Sequence, residues 1–218
     1  MTLKQSKKLG KKFDQLWKRS CVPVFTHLLE FDESVWRGEA GSIFLTVAED
    51  LPKLNEAPAS LRVSHIASAN MIALYKFLLN KEFERGTAER LVTDIMELEI
   101  ARVPDFLKRL STWFMFSGVG QYFTKYFAEK SSVMNDGQYR MEYQRLGADS
   151  FSLNITNCAT CTLAKKQDVQ EFVPTICNVD KVLSDEFGWG LQRTQTIAKG
   201  SKHCDFVFVR DAYTNVEK

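Results

Sequence analysis

The 218-residue sequence has no surplus of charge of either sign: 29 Lys and Arg face 27 Asp and Glu, a formal net charge of +2. Without a basic surplus there is no whole-molecule field to gather phosphate backbones, so a dedicated nucleic-acid binder is not expected. Long apolar runs are missing too. The most apolar stretch, Trp113 to Phe127, is interrupted by Lys125 and falls short of the roughly 20 apolar residues a membrane span needs. It reads as a buried helix, with no transmembrane segment. Cysteine is sparse, and its count of five is odd, which argues against a disulfide scaffold and for cytosolic thiols. Met1 to Lys18 holds no continuous apolar region of the kind a secretory signal carries, so a cytoplasmic location is expected and the Asn154-Ile155-Thr156 sequon has no weight. No repeat or low-complexity linker breaks the chain.

With 44% hydrophobic and 26% charged residues, the chain can bury one substantial core. The pattern predicts a single α+β domain over 1–218: an N-terminal helical extension (1–60), a helical part (61–134) and a sheet part (135–218). Leu9, Phe13, Leu16 and Trp17 form an apolar stripe within a helix over Leu3 to Arg19, opposite a face of Lys4, Lys7, Lys8, Lys11, Lys12 and Lys18. A second helix is expected over Ala57 to Leu79, with His65 near its start read as capped or solvated. A third is expected to open at a Thr87 N-cap and run through Ile100. Pro104 restarts the chain. From there Phe106, Leu110, Trp113, Phe114, Phe116, Tyr122, Phe123, Tyr126 and Phe127 form a broad aromatic surface, read as core or as the wall of a ligand pocket.

Asn135-Asp136-Gly137 marks the change to strands. Tyr139, Met141 and Tyr143 alternate with polar residues, as do Phe151, Leu153 and Ile155, which predicts a hairpin around Leu146-Gly147-Ala148-Asp149. Cys158 to Phe187 reads as two short helices broken at Pro174 and ended by Gly188 and Gly190. A second hairpin is expected between Leu191–Ala198 and His203–Arg210, with Cys204 opposite Ile197 and on one face with Arg193 and Gln195. The expected fold is therefore N-terminal helices packed on a four-stranded antiparallel sheet, with two short helices inserted between its hairpins and a pocket between sheet and aromatic helix.

Cys158, Cys161, Cys177 and Cys204 all fall in this last part, near element ends. Cys158 stands at an expected helix N-terminus, where the helix dipole and unpaired amides favour a thiolate. Three kinds of chemistry suit such thiols. One is nucleophilic attack, with Asp180, His203 or Asp205 moving protons. Another is a divalent metal, the one cofactor considered, held by Cys158, Cys177 and Cys204 around the C-x-x-C of Cys158 to Cys161; the spacing is not a zinc-finger pattern. The third is simple burial as small hydrophobes, the reading given to Cys21.

The run Arg193-Thr194-Gln195-Thr196-Ile197-Ala198-Lys199-Gly200, followed by Cys204-Asp205-Phe206-Val207-Phe208, resembles the L-2-amino-thiazoline-4-carboxylic acid hydrolase family. Asn154-Ile155-Thr156-Asn157-Cys158 and Cys177-Asn178-Val179-Asp180 match further family motifs in order, and the resemblance spans Ala69 to Arg210. It implies a cytosolic hydrolase that opens a small cyclic amidine or amide at a carbon–nitrogen bond, for example 2-amino-thiazoline-4-carboxylate toward a carbamoyl-cysteine. The residues it carries over are Asn154, Thr156, Cys158, Cys177, Asp180, Arg193, Thr194, Thr196, Cys204 and Asp205; Cys161 departs from the family pattern. The roles that follow are attack by Cys158 or Cys204 and proton transfer by Asp205 or Asp180. Arg193 would hold the substrate carboxylate, and Thr156 and Thr196 would supply neutral hydrogen bonds. The order of elements also resembles noncatalytic ligand-binding domains of the vinyl-reductase and vesicle-tether type, so a small-molecule or metal binder is the alternative. A homo-oligomer is left open.

Overall fold

The computed structural model describes residues 2–54, 57–131 and 137–217, apart from the side chains of residues 59 and 60. Asn135 and Asp136 of the expected turn lie outside that set; Gly137 has φ +94. Helix α1 (Leu3–Leu16) opens with a capping box in which Thr2 and Gln5 satisfy each other's amides. It buries Leu9, Phe13 and Leu16 and leaves its lysines in solvent, as the stripe predicted. The helix then widens into a π-turn over Trp17–Cys21, which points Trp17, Ser20 and Cys21 inward together. A short α2 (Val22–Phe25) and a long α3 (Glu33–Glu49, capped by Asp32) follow.

These N-terminal elements share one core with α4 (Ala59–Asn80), α5 (Arg85–Ala101), α8 (Ala159–Lys166) and α9 (Val173–Phe187). Phe13 stacks on Phe44 at 4.7 Å, and Trp17 meets Phe25 and Phe77 at 5.6 and 6.0 Å. Full burial of one phenylalanine of this kind is worth about 1.5 to 3 kcal/mol. Residues 1–60 thus supply much of the core. In α5 the cap is Glu84 rather than Thr87, which sits inside the first turn. Pro174 lies in the first turn of α9 and does not interrupt it, since proline lacks only an amide that has no partner there.

The aromatic helix is two helices, α6 (Asp105–Phe116) and α7 (Gly118–Ser131), bent at Ser117. They meet so closely that a Cβ on Gly120 would lie 1.8 Å from the Phe114 carbonyl oxygen. Their aromatics are not core, contrary to one expectation. Phe116 is buried, but Phe106, Trp113, Phe114, Tyr122, Phe123 and Tyr126 are exposed, Trp113 to 62%. Against the sheet, where a pocket was expected, Phe116, Phe151, Leu191 and Phe208 form a small core of their own.

Among the described residues the sheet is mixed and has five strands in the order β1-β2-β4-β3-β5, where four antiparallel strands were expected. β1 (Arg140–Arg145) and β2 (Ser150–Asn157) form the anticipated hairpin, with Tyr143 opposite Leu153. β2 pairs with β4 (Cys204–Val209), placing Ile155 opposite Cys204. β3 (Leu191–Arg193) is only three residues long and pairs Leu191 with Phe208. The fifth strand, β5 (Asn215–Val216), runs parallel to β3; two residues show no alternation in sequence. The second hairpin is cut short by Asp205, whose Oδ1 accepts from the Thr194 and Gln195 amides at 3.0 and 2.8 Å. Those donors are thereby lost to a ladder, and the chain passes through a 3-10 turn over Ile197–Lys199 instead. Among the described residues, no helix is long and apolar enough to cross a membrane.

Gly188 ends α9 at φ +70 with open space around it, whereas Gly190, at φ +60, would bring a Cβ to 2.0 Å from the Val209 carbonyl oxygen. Gly188→Ala should therefore cost about 1 to 2 kcal/mol, the left-handed penalty alone, and Gly190→Ala clearly more, because β4 must also move. Urea unfolding of both variants checks this, and equal losses would contradict the close approach.

A candidate active site where α8 meets α9

β2 ends at Asn157, and the next residue, Cys158, is the N-cap of α8, with extended backbone at φ −102 and ψ 111. Its sulfur takes the place a serine or aspartate oxygen usually fills: Sγ accepts from the Cys161 amide at 3.4 Å. The hydrogen bond from the Cys161 thiol, with the Cys161 and Thr160 amides, outweighs burial and brings the Cys158 thiol down from near 9 to about 7. The Cys161 thiol, as the donor, is pushed up.

Cys177 and Asp180 stand one turn apart on α9, so they share a face. Opposite them, at the end of β3, Arg193 is buried to 3% exposure. Its Nη1 donates to the Cys177 carbonyl at 3.0 Å and to Asp180 Oδ2 at 2.7 Å, while the guanidinium carbon lies 5.5 Å from the centre of the Phe206 ring. Asp180 is hemmed in by protein, yet 36% of its side chain meets solvent. Burial raises its carboxyl to about 6 despite the opposing pull of Arg193. Cys204, the first residue of β4, is buried, receives the Ile197 amide at 3.2 Å and is raised by burial to about 11. Cys177 is raised by burial and by the Asp180 charge. Cys177 feels the charges of Asp180, Cys158 and Cys204, Cys204 those of Cys158 and Asp180, and Cys158 that of Asp180, so residues far apart in sequence come within electrostatic reach of one another.

Several expected partners stand elsewhere. Side chains alternate across the sheet, so the register that puts Ile155 beside Cys204 puts Asn154 beside Asp205 on the opposite face. Thr156 and Thr194 are exposed. Asp205 also accepts from the Thr194 hydroxyl at 2.6 Å; burial opposes the ionised form, but these hydrogen bonds hold the carboxyl below its usual range. Thr196 is buried where its carbonyl accepts from the Lys199 and Ser201 amides at 3.1 and 3.2 Å. Asp205, Thr194 and Thr196 therefore shape the β3–β4 connection, and His203 contacts Gln195 at 3.0 Å. Among the described residues, no group of three or more His, Cys, Asp or Glu could hold a metal ion, and Cys158, Cys177 and Cys204 form no such group. Cys21 is fully buried, as expected.

Sequence reasoning missed a buried chain beside Cys158. Tyr139 Oη and Ser68 Oγ each lie 2.7 Å from Thr160 Oγ1, and Ser68 donates on to the Ser64 carbonyl at 3.0 Å. Burial, reinforced by the Cys158 charge, keeps the Tyr139 phenol protonated. The one available signal was Thr160 itself, a polar residue inside the C-x-x-C. His65 is buried rather than solvated, 2.8 Å from Gln138 Oε1. A cavity of about 530 Å³, lined by residues such as Lys12, Leu51, Arg62 and Ile66, lies away from the thiols.

Residues 64–208, about two-thirds of the chain, match the family model described as L-2-amino-thiazoline-4-carboxylic acid hydrolase. Comparison with curated proteins and with solved structures gives no match. The matched segment runs from α4 into β4 and includes Tyr139, Cys158, Cys177, Asp180, Arg193 and Cys204, while α1 to α3 lie outside it.

Alkylation by iodoacetamide follows the thiolate fraction. Labelling of Cys158 should therefore rise with pH through a midpoint near 7, below the ordinary thiol value of about 8.5. Cys161→Ala removes the main stabilising donor and should move that midpoint up. Asp180→Asn removes an opposing negative charge and should move it down. Peptide-resolved labelling rates read both shifts, and a midpoint that ignores Cys161 would contradict the cap geometry.

Proposed function

Because this chain belongs to the L-2-amino-thiazoline-4-carboxylic acid hydrolase family, we propose that it opens a small cyclic amidine or amide by hydrolysis at a carbon–nitrogen bond, with Cys158 as nucleophile. The observation that carries this reading is the thiolate-favouring cap position of Cys158 within electrostatic reach of the solvent-reached carboxyl of Asp180. Family membership supports hydrolase chemistry broadly, and the thiol environments supply the rest. Of the two candidate nucleophiles, Cys204 is held protonated at neutral pH by its burial, whereas Cys158, at about 7, is about half ionised.

In a 2-amino-thiazoline ring the amidine carbon sits between nitrogen and sulfur. Cys158 Sγ adds to that carbon, and the ring carbon–nitrogen bond breaks as Asp180 delivers a proton to the leaving nitrogen. A covalent carbon–sulfur adduct remains on the enzyme. Water, deprotonated by the now ionised Asp180, adds to the same carbon and expels the Cys158 thiolate, giving a carbamoyl-thiol product. A carboxyl near pH 6 suits both the acid and the base half of this cycle. Arg193 acts here as a positioning residue: with Nη1 engaged by Asp180 and the Cys177 carbonyl, it aims the carboxyl. The noncatalytic ligand binder remains the second reading, favoured by the exposed aromatic face of α6 and α7.

With 2-amino-thiazoline-4-carboxylate as substrate, Cys158→Ser should lower turnover by ~10³-fold or more and Asp180→Asn by about 10²- to 10⁴-fold. Cys204→Ser should stay within about tenfold of the parent. Activity below pH 7 should fall as Cys158 takes up its proton. Ring opening followed by mass spectrometry reads all of these. Full turnover in Cys158→Ser, or turnover that depends on Cys204 alone, would overturn the assignment.

A further inference from the structure

Cys158 and Cys161 hold the N-cap and third helical positions of an eight-residue helix. The Sγ of Cys158 lies 3.4 Å from the main-chain nitrogen of Cys161, and each thiol shifts the other's titration, Cys158 down and Cys161 up. An N-cap residue and the third residue of its helix stand about one turn apart, inside the roughly 4.4 to 6.8 Å between Cα atoms that a disulfide bridges. Both thiols are only half-buried, as is Cys177, whereas Cys21 and Cys204 are buried. The intervening residues are small, and Thr160 is anchored by Tyr139 and Ser68, so the backbone between the sulfurs is already held. Hydrolysis has no use for the sulfur of Cys161, since any donor there would serve.

We propose that Cys158 and Cys161 form a reversible dithiol–disulfide centre, closed by a peroxide-class oxidant and reopened by a dithiol reductant. In the closing reaction Cys158 Sγ attacks a peroxide oxygen. The oxygen–oxygen bond breaks, the peroxide is reduced to water, and Cys158 becomes a sulfenic acid. Cys161 then attacks that sulfur, the sulfur–oxygen bond breaks, and a second water leaves with the Cys161 proton. The dithiol has given up two electrons in all. An external dithiol returns them by exchange and is itself oxidised to a disulfide. The disulfide removes both the nucleophile and the cap of α8, so the centre switches hydrolysis off. That consequence rests on the Cys158 reading above; formation of the bond does not.

The test treats the full-length protein with equimolar hydrogen peroxide, blocks remaining thiols with N-ethylmaleimide at low pH and maps the peptides by mass spectrometry. The expected product is a peptide containing Cys158 and Cys161, unmodified by maleimide, lighter by two hydrogens and restored by dithiothreitol. In Cys161→Ser, which keeps a hydrogen-bond donor, Cys158 should instead accumulate sulfenic acid trapped by dimedone. Maleimide on both residues after oxidation, or a bond from Cys158 to Cys177 or Cys204, would overturn the proposal. A mapped Cys158–Cys161 disulfide with undiminished turnover would overturn the switch and the nucleophile assignment together while leaving the redox centre standing.

Discussion

Arg193 holds a full positive charge at 3% exposure, and such a charge is tolerated only with a counter-ion and satisfied hydrogen bonds. Asp180 and the Cys177 carbonyl supply both from one face of α9. Phe206 of β4 covers the guanidinium. That requirement ties the end of β3 to the middle of α9. It also brings the carboxyl within electrostatic reach of Cys158 at the start of α8. A strand, two helices and the thiols between them are thus linked by one half-buried ion pair. The same pair accounts for Asp180's character, a carboxyl raised by its surroundings but restrained by the cation beside it.

Where the polypeptide obeys a long period, its structure is readable in advance. The stripe of α1, the restart at Pro104 and the alternation through Tyr139–Tyr143 and Phe151–Ile155 all emerge as the helices and hairpin they suggest. Local competition for hydrogen bonds is not readable in that way. Asp205 captures two amides and ends β3 at Arg193, and β5 has only two residues in which to show a pattern. The aromatic helices misled because periodicity reports that a face is apolar, not that something covers it.

The site follows the same division. A cysteine directly after a strand and at the head of a helix is a local feature, and Cys158 has the cap position its place in the chain suggested. Motif order alone could not sort residues by sheet face. Asn154 and Asp205 pair with each other on the side away from Cys204, although all three belong to the motifs that resemble the family. The Tyr139–Thr160–Ser68 chain joins the residue before β1 to two helices, and no spacing in one sequence announces a contact among three separate segments.

Whether Cys158 bonds covalently to the carbon under attack can be seen directly. Protein mixed with 2-amino-thiazoline-4-carboxylate and quenched in acid within one turnover should show an intact mass raised by the bound substrate, with the addition mapped to Cys158 after digestion. A substrate-derived addition on Cys204 or Cys177, or rapid product formation with every cysteine unmodified throughout the turnover, would contradict the account.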